Sequence, residues 1–198
     1  MVASERQAER QPREIVRQVT DGASTLTVTV TRDARLRKSV RWTLHEQEIR
    51  VRAPQRLSAR DLDDVLDDII AHVLRQRARA RKQNDDELEA RARALNRRYF
   101  DGELQWHTIR WVTNMQRRLG SCTYGGATDG DIRISARIKH WPRYVVDYVI
   151  AHELVHRKFP NHSAEFWDYL ARFPHTERAR GFIEGVAYAE GDDPDALI

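Results

Sequence analysis

The sequence predicts an α+β fold: a small antiparallel sheet packed on a helix that carries H-E-x-x-H, preceded by an N-terminal lobe of strands and a helix. Three observations predict it. Residues 24–53 hold short segments with period-two apolar patterning, residues 58–82 and 142–158 repeat apolar side chains at helical spacing, and prolines at 54, 160 and 174 punctuate the chain. A chain of 198 residues can bury a core without cross-links. Its single cysteine excludes an internal disulfide framework and a multi-cysteine zinc knuckle.

In chain order, residues 1–21 are polar, rich in Arg, Gln and Glu, and are expected to form a flexible arm. Residues 24–31 set Leu26, Val28 and Val30 against threonines, as a half-buried strand does. Residues 38–44, with Val40, Trp42 and Leu44, and residues 48–53, with Ile49 and Val51, complete a small antiparallel sheet closed by Pro54. Ser58 opens a helix with acid in its first turns, and Leu62, Val65, Leu66, Ile69, Ile70, Val73 and Leu74 share one face. That helix is expected to end in the basic run 75–82 and to close a lobe spanning 22–82.

A second helix is expected from Asn84 or Asp85 to Asp101-Gly102. Residues 108–113 and 131–135 read as strands, with a glycine-bearing loop at 120–130 between them. Pro142 stands at the start of a helix that runs to Lys158, where Pro160 prevents its continuation. Two further helices follow, one over 163–172 and one after Pro174, and residues 191–198 are expected to be a loose tail. Residues 83–190 thus form the second domain.

The chemistry lies in His152-Glu153-Leu154-Val155-His156. Histidines at i and i+4 stand about 40° apart around a helix and about 6 Å apart along it, so both imidazoles can reach one metal ion. Glu153 can then take a proton from a water at the metal's open position, the arrangement of a zinc hydrolase. A catalytic zinc takes three protein ligands. His162 follows His156 by six residues across the helix-breaking Phe159-Pro160-Asn161, so the chain can turn it back to the metal, and Glu184 is the rival third ligand. Zn2+ held by His152, His156 and His162 with Glu153 as general base would make a zinc-dependent hydrolase, for which a metallopeptidase acting on a peptide or protein substrate is the first expectation.

Residues 145–167, VVDYVIAHELVHRKFPNHSAEFW, resemble the active-site segment of the YgjP-like metallopeptidases. NRRYFDGEL at 96–104, the strand with Trp111, RLGSC at 118–122 and IRIS at 132–135 stand in the order expected of that family and of the SprT-like zinc metallopeptidases. The resemblance is good over residues 85–172 and looser over 24–82. Leu119 departs from the tryptophan usual in YgjP-like proteins, SprT-like proteins space the third histidine further along, and metzincins place a glycine where Phe159 stands. The resemblance implies a zincin-like core and zinc-dependent peptide hydrolysis. It also implies that Ser121 and Cys122 lie near the cleft, where they can touch substrate or a ligand.

Tyr124, Tyr148, His175 and Arg178 are chemically able to stabilise an oxyanion, and His175 is also a candidate partner for a ligand. Phe166 and Trp167 are expected to pack on the metal helix and hold His162. Asp147 and Asp168 are candidates to accept the second N–H of an imidazole. His45, His72, His107 and His140 carry no motif.

Charge is uneven. Residues 1–82 carry 18 Lys and Arg against 12 Asp and Glu, residues 83–198 carry 16 against 18, and the chain's net charge is +4. Arg75, Arg77, Arg79, Arg81 and Lys82 form a candidate nucleic-acid patch, so a protease acting on DNA-bound proteins is one alternative. A non-catalytic zinc-binding interaction module is another. No apolar run suits a membrane span or a signal peptide, which sets the expectation of a cytoplasmic protein with no membrane partner.

Overall fold

The computed structural model describes residues 15–21 and 24–197 and has the expected α+β class. The chain divides between Arg77 and Ala78 into two compact units.

The first unit holds strands β1 (Ile15–Asp21), β2 (Ser24–Asp33), β3 (Arg41–His45) and β4 (Glu48–Pro54) in the order β1-β2-β4-β3. The alternation in β2 buries Leu26, Val28 and Val30 and leaves the threonines half-exposed, and β4 buries Ile49, Val51 and Ala53 in the same way. These two inward-facing strands lie side by side in parallel, Val28 opposite Ile49 and Val30 opposite Val51. The sheet is therefore mixed, not the antiparallel sheet expected. The reason is that β3, exposed at every position, buries nothing and takes the edge, paired antiparallel to β4.

Part of the expected arm is also ordered. Residues 15–21 are a strand whose backbone pairs with β2 from Ile15–Val30 to Asp21–Ser24, so a hydrogen-bond ladder orders a segment that few apolar anchors would hold. Residues 1–14 lie outside the described residues.

Helix α1 (Ala59–Tyr99) opens as expected: Ser58 Oγ accepts from the Asp61 amide at 3.1 Å. Leu62, Leu66, Ile69 and Val73 cover the inward face of the sheet and form one core with it. The expected break at residues 83–85 does not occur, and one helix of 41 residues replaces two. It contains neither Gly nor Pro, so nothing stops propagation, and the Asp85 carboxylate accepts the Trp111 amide at 2.9 Å instead of capping a helix. The basic run 75–82 therefore lies inside the helix, away from the C-terminal dipole expected to favour it.

In the second unit α1 ends as the sequence foretells, with Asp101 at φ 55° and Gly102 at φ 73°. The buried Asn96 side chain clamps the following turn, donating to Leu104 O at 2.9 Å and accepting from Leu104 N at 3.3 Å. Strands β5 (Thr108–Val112), β6 (Gly120–Cys122) and β7 (Asp131–Ser135) form a sheet in the order β5-β7-β6. β5 is parallel to β7 and β6 antiparallel, so this sheet too is mixed. The first three residues of the expected glycine loop are in fact the edge strand β6.

Helices α2 (Arg143–His156), α3 (Ala164–Leu170), α4 (Thr176–Glu190) and the short α5 (Pro194–Leu197) follow. The tail is not loose: Leu197 is buried and its carbonyl accepts the Leu119 amide at 2.7 Å. Among the described residues, no helix is long and apolar enough to cross a membrane.

Candidate metal centre

Helix α2 is apolar almost all round and buries every residue from Tyr148 to Val155. Such a helix sits inside a core rather than on a surface, so the polar side chains it carries inward are costly unless something compensates them. Two of those side chains are His152 and Glu153, 1% and 3% exposed.

The helix stops within one turn of His156. Phe159 N still bonds to Val155 O at 3.0 Å, Pro160 offers no N–H, and Ser163 caps α3 by accepting from Phe166 N at 3.4 Å. This break turns His162 back over α2. His162 Nε2 lies 2.9 Å from His152 Nε2, His156 Nε2 lies 3.1 Å from it, and all three ligand atoms are within 4.8 Å of one another.

The surrounding rings set this geometry. Phe166, fully buried, has its centroid 4.9, 4.7 and 4.8 Å from those of His152, His156 and His162. Trp167 stacks on His162 at 5.4 Å. The expectation that these two residues pack on the metal helix and hold His162 matches their placement. His156 Nδ1 lies 3.1 Å from Phe159 O, so a proton on Nδ1 leaves the Nε2 lone pair facing the other rings. Burial lowers the pKa of all three imidazoles, that of His152 well below its usual value with the two neighbouring rings adding to the effect. Three neutral imidazole nitrogens converging with no acid between them suit a divalent cation.

Burial pushes the Glu153 carboxyl up to about 8, against the opposing field of Arg118. The side chain lies against Gly120 of β6. A Cβ at Gly120 would stand 2.7 Å from Glu153 Cγ and 2.8 Å from Cδ, so the close approach of strand and carboxylate requires glycine there. Gly120 belongs to this site by its contact with Glu153, which the sequence alone does not single out. Its only trace is its place in RLGSC, because the residue it makes room for lies 33 positions downstream.

Gly120, Ser121, Cys122 and Tyr124 join Glu153, His156 and His162 in lining one pocket of about 540 Å³. The Tyr124 hydroxyl donates to His156 O at 2.5 Å, and burial raises its pKa. Burial likewise raises the Cys122 thiol, with Arg157 opposing, which disfavours the thiolate a nucleophile needs. Arg157 fixes the loop after β6 to the end of α2, holding Asp129 through both guanidinium nitrogens at 3.2 and 3.1 Å and Gln105 O at 2.9 Å.

Other candidates lie elsewhere. His175 precedes α4 with its ring 6.2 Å from Tyr144 and 5.9 Å from Phe173, and Arg178 covers Tyr144 at 4.2 Å, so both line a different groove. Tyr148 is buried against the His152 ring at 6.0 Å. Asp147 pairs with Arg91 at 2.5 Å instead of a histidine, while Asp168 and Glu184 are exposed, and Glu184 is outside the histidine group. In the basic run, helical geometry sets Arg75, Arg79 and Lys82 on one face and Arg77 and Arg81 on the other. Arg77 is occupied in the first unit: it donates to Glu46 O at 2.5 Å and pairs with Asp21 at 3.6 Å.

Residues 102–181 match the YgjP-like family, described as its metallopeptidase domain, which agrees with the resemblance read from the sequence and makes this segment a metallopeptidase domain. Among solved structures, the metallopeptidase zymogen of Pyrococcus abyssi abylysin aligns at 17% identity and a TM-score of 0.43, over 56% of this chain and 98% of that one. No curated protein matches.

Proposed function

We propose that this domain is a zinc-dependent peptidase in which His152, His156 and His162 hold the metal and Glu153 is the general base. The observation that carries the proposal is the convergence of three imidazole Nε2 atoms beside a buried carboxylate. Three neutral nitrogen ligands without a thiolate suit zinc with one position left open. When bound, zinc supplies a Lewis acid that polarises a carbonyl and lowers the pKa of water towards neutrality.

The chain's own groups do the rest. Glu153 takes a proton from the attacking water and passes it to the leaving amine nitrogen, so a single carboxylate serves both halves of the reaction. Gly120 leaves Glu153 the room to do so, and Phe166 and Trp167 hold the ligand rings in register. The alternative of a purely structural zinc has no use for a buried carboxylate beside its ligands, and the match of residues 102–181 to a metallopeptidase domain supports a peptide substrate.

The test is metal analysis with hydrolysis of fluorescein-labelled casein. Freshly purified or reconstituted protein is expected to hold one zinc per chain. Glu153→Gln should keep it while hydrolysis falls by roughly 10²-fold or more, and His156→Ala should lose the metal. Protein that neither carries zinc nor takes it up would overturn the proposal.

A further inference from the structure

We propose that Arg117 and Arg118 select peptide substrates with acidic side chains flanking the bond that is cut. This rests on the metallopeptidase reading and names the substrate class of the same pocket. Both arginines line the pocket that contains Glu153, His156 and His162, and Glu153 is its only lining carboxylate among the described residues.

Neither arginine is in an ion pair with a described residue, and both are exposed. Several other arginines of this unit do hold carboxylates: Arg91 holds Asp147, Arg137 holds Glu190, Arg157 holds Asp129 and Arg172 holds Asp101. Two adjacent guanidinium groups with no ion pair to a described residue, on the segment that leads into the edge strand β6, leave the pocket rim positive, with the buried Glu153 carboxyl within the field of Arg118 as the one acidic group facing them among the described residues. A cation on the histidines adds charge of the same sign. A cleft lined by one sign of charge concentrates ligands of the other. The planar guanidinium fork matches a carboxylate through two parallel hydrogen bonds, which a neutral amide cannot equal and a lysine side chain would oppose.

The experiment uses the zinc-loaded full chain and three pools of internally quenched peptides that differ only in the residues flanking the central bond: Asp and Glu, Asn and Gln, or Lys and Arg. Binding of the same pools to Glu153→Gln is followed by fluorescence anisotropy. Because both arginines are exposed, the acidic pool is expected to exceed the neutral pool by about tenfold rather than by orders of magnitude, with the basic pool lowest. The acidic-to-neutral ratio should fall to about one in R117Q/R118Q, invert towards the basic pool in R117E/R118E, and collapse as salt is raised. R117K/R118K, which keeps the charge but loses the fork, should retain part of the preference and serves if the glutamine pair does not fold.

Equal cleavage and binding of the pools by the wild type would overturn the inference, as would a preference that survives in both neutralised and reversed variants. If no pool is cut while Glu153→Gln still binds the acidic pool through these arginines, the peptidase reading fails and what stands of the inference is the recognition of acidic peptides at this pocket.

Discussion

β2 and α2 are both core elements, but they treat polarity in opposite ways. In β2 each buried aliphatic residue alternates with a threonine that keeps contact with water, and the core it joins is entirely aliphatic. In α2 the buried stretch from Tyr148 to Val155 includes an imidazole and a carboxyl group. The same division runs through the two units: of the six buried polar residues among those described, Asp21 belongs to the first, while Asn96, Asp131, Ser135, His152 and Glu153 belong to the second. Three of those five, Asn96, Asp131 and Ser135, are hydrogen-bonded by protein partners, whereas the His152 Nδ1 atom is buried without one among the described residues. A fold optimised only for stability would not place such groups in its core. The difference teaches which unit is built for folding and which gives up stability for chemistry.

The sharpest way to break that comparison is to make equivalent cavities in the two cores. Phe166→Ala removes the ring that touches all three imidazoles and should destabilise the protein by about 3–5 kcal/mol while also abolishing zinc retention. Leu66→Ala, in the aliphatic core, should cost about 2–5 kcal/mol and leave zinc content unchanged. Urea unfolding with metal analysis of each variant separates the two. Equal zinc loss from both would mean that the metal centre is not a property of the second unit.

How far the sequence reveals each region follows from the range of the interactions. The inward face of β2, the Ser58 cap and the i, i+4 histidines are local patterns, and each stands where its spacing says. His162 was legible because a proline and a short connector leave the chain little choice after His156. What escaped depends on distant partners. β1 is ordered by the backbone of β2, α1 continues because Asp85 is needed at Trp111, and the tail is held by Leu119. Arg77 reads as one of a basic run until Asp21 and the Glu46 carbonyl occupy it. Gly120 is silent in sequence because its function is to have no side chain opposite Glu153.

Gly120 gives the next test, at the contact between β6 and α2. Gly120→Ala sets a methyl group within 2.7–2.8 Å of Glu153 Cγ and Cδ, and the buried carboxylate must move to admit it. A displacement of about 1 Å at a reacting group costs about 10²-fold in rate, so hydrolysis should fall by that order while zinc content, set by the histidines, stays constant. The overpacking should cost about 1–3 kcal/mol of stability. If zinc is lost together with activity, the glycine supports the ligand helix and not the carboxylate.

The smallest effect concerns the second unit's compensated polarity, at Asp131. Its carboxylate accepts from Thr108 Oγ1 at 2.8 Å and faces His107 Nδ1 at 2.9 Å, which ties the start of β7 to β5. The Thr108 hydroxyl is the largest cause holding its pKa below the ordinary 3.8, His107 adds to it, and partial burial works against both. Because the folded pKa is depressed, the unfolded chain takes up the proton first. The stabilisation is complete above 3.8 and is lost as pH falls below it through the lower folded value. Thermal melts from neutral pH downwards should therefore show a steeper acid decline in the wild type than in Asp131→Asn. Thr108→Val should fall between them, since it removes the main cause and leaves His107. Parallel declines in all three would show that this carboxylate, unlike Glu153, is neutral in its effect on the balance between the two units.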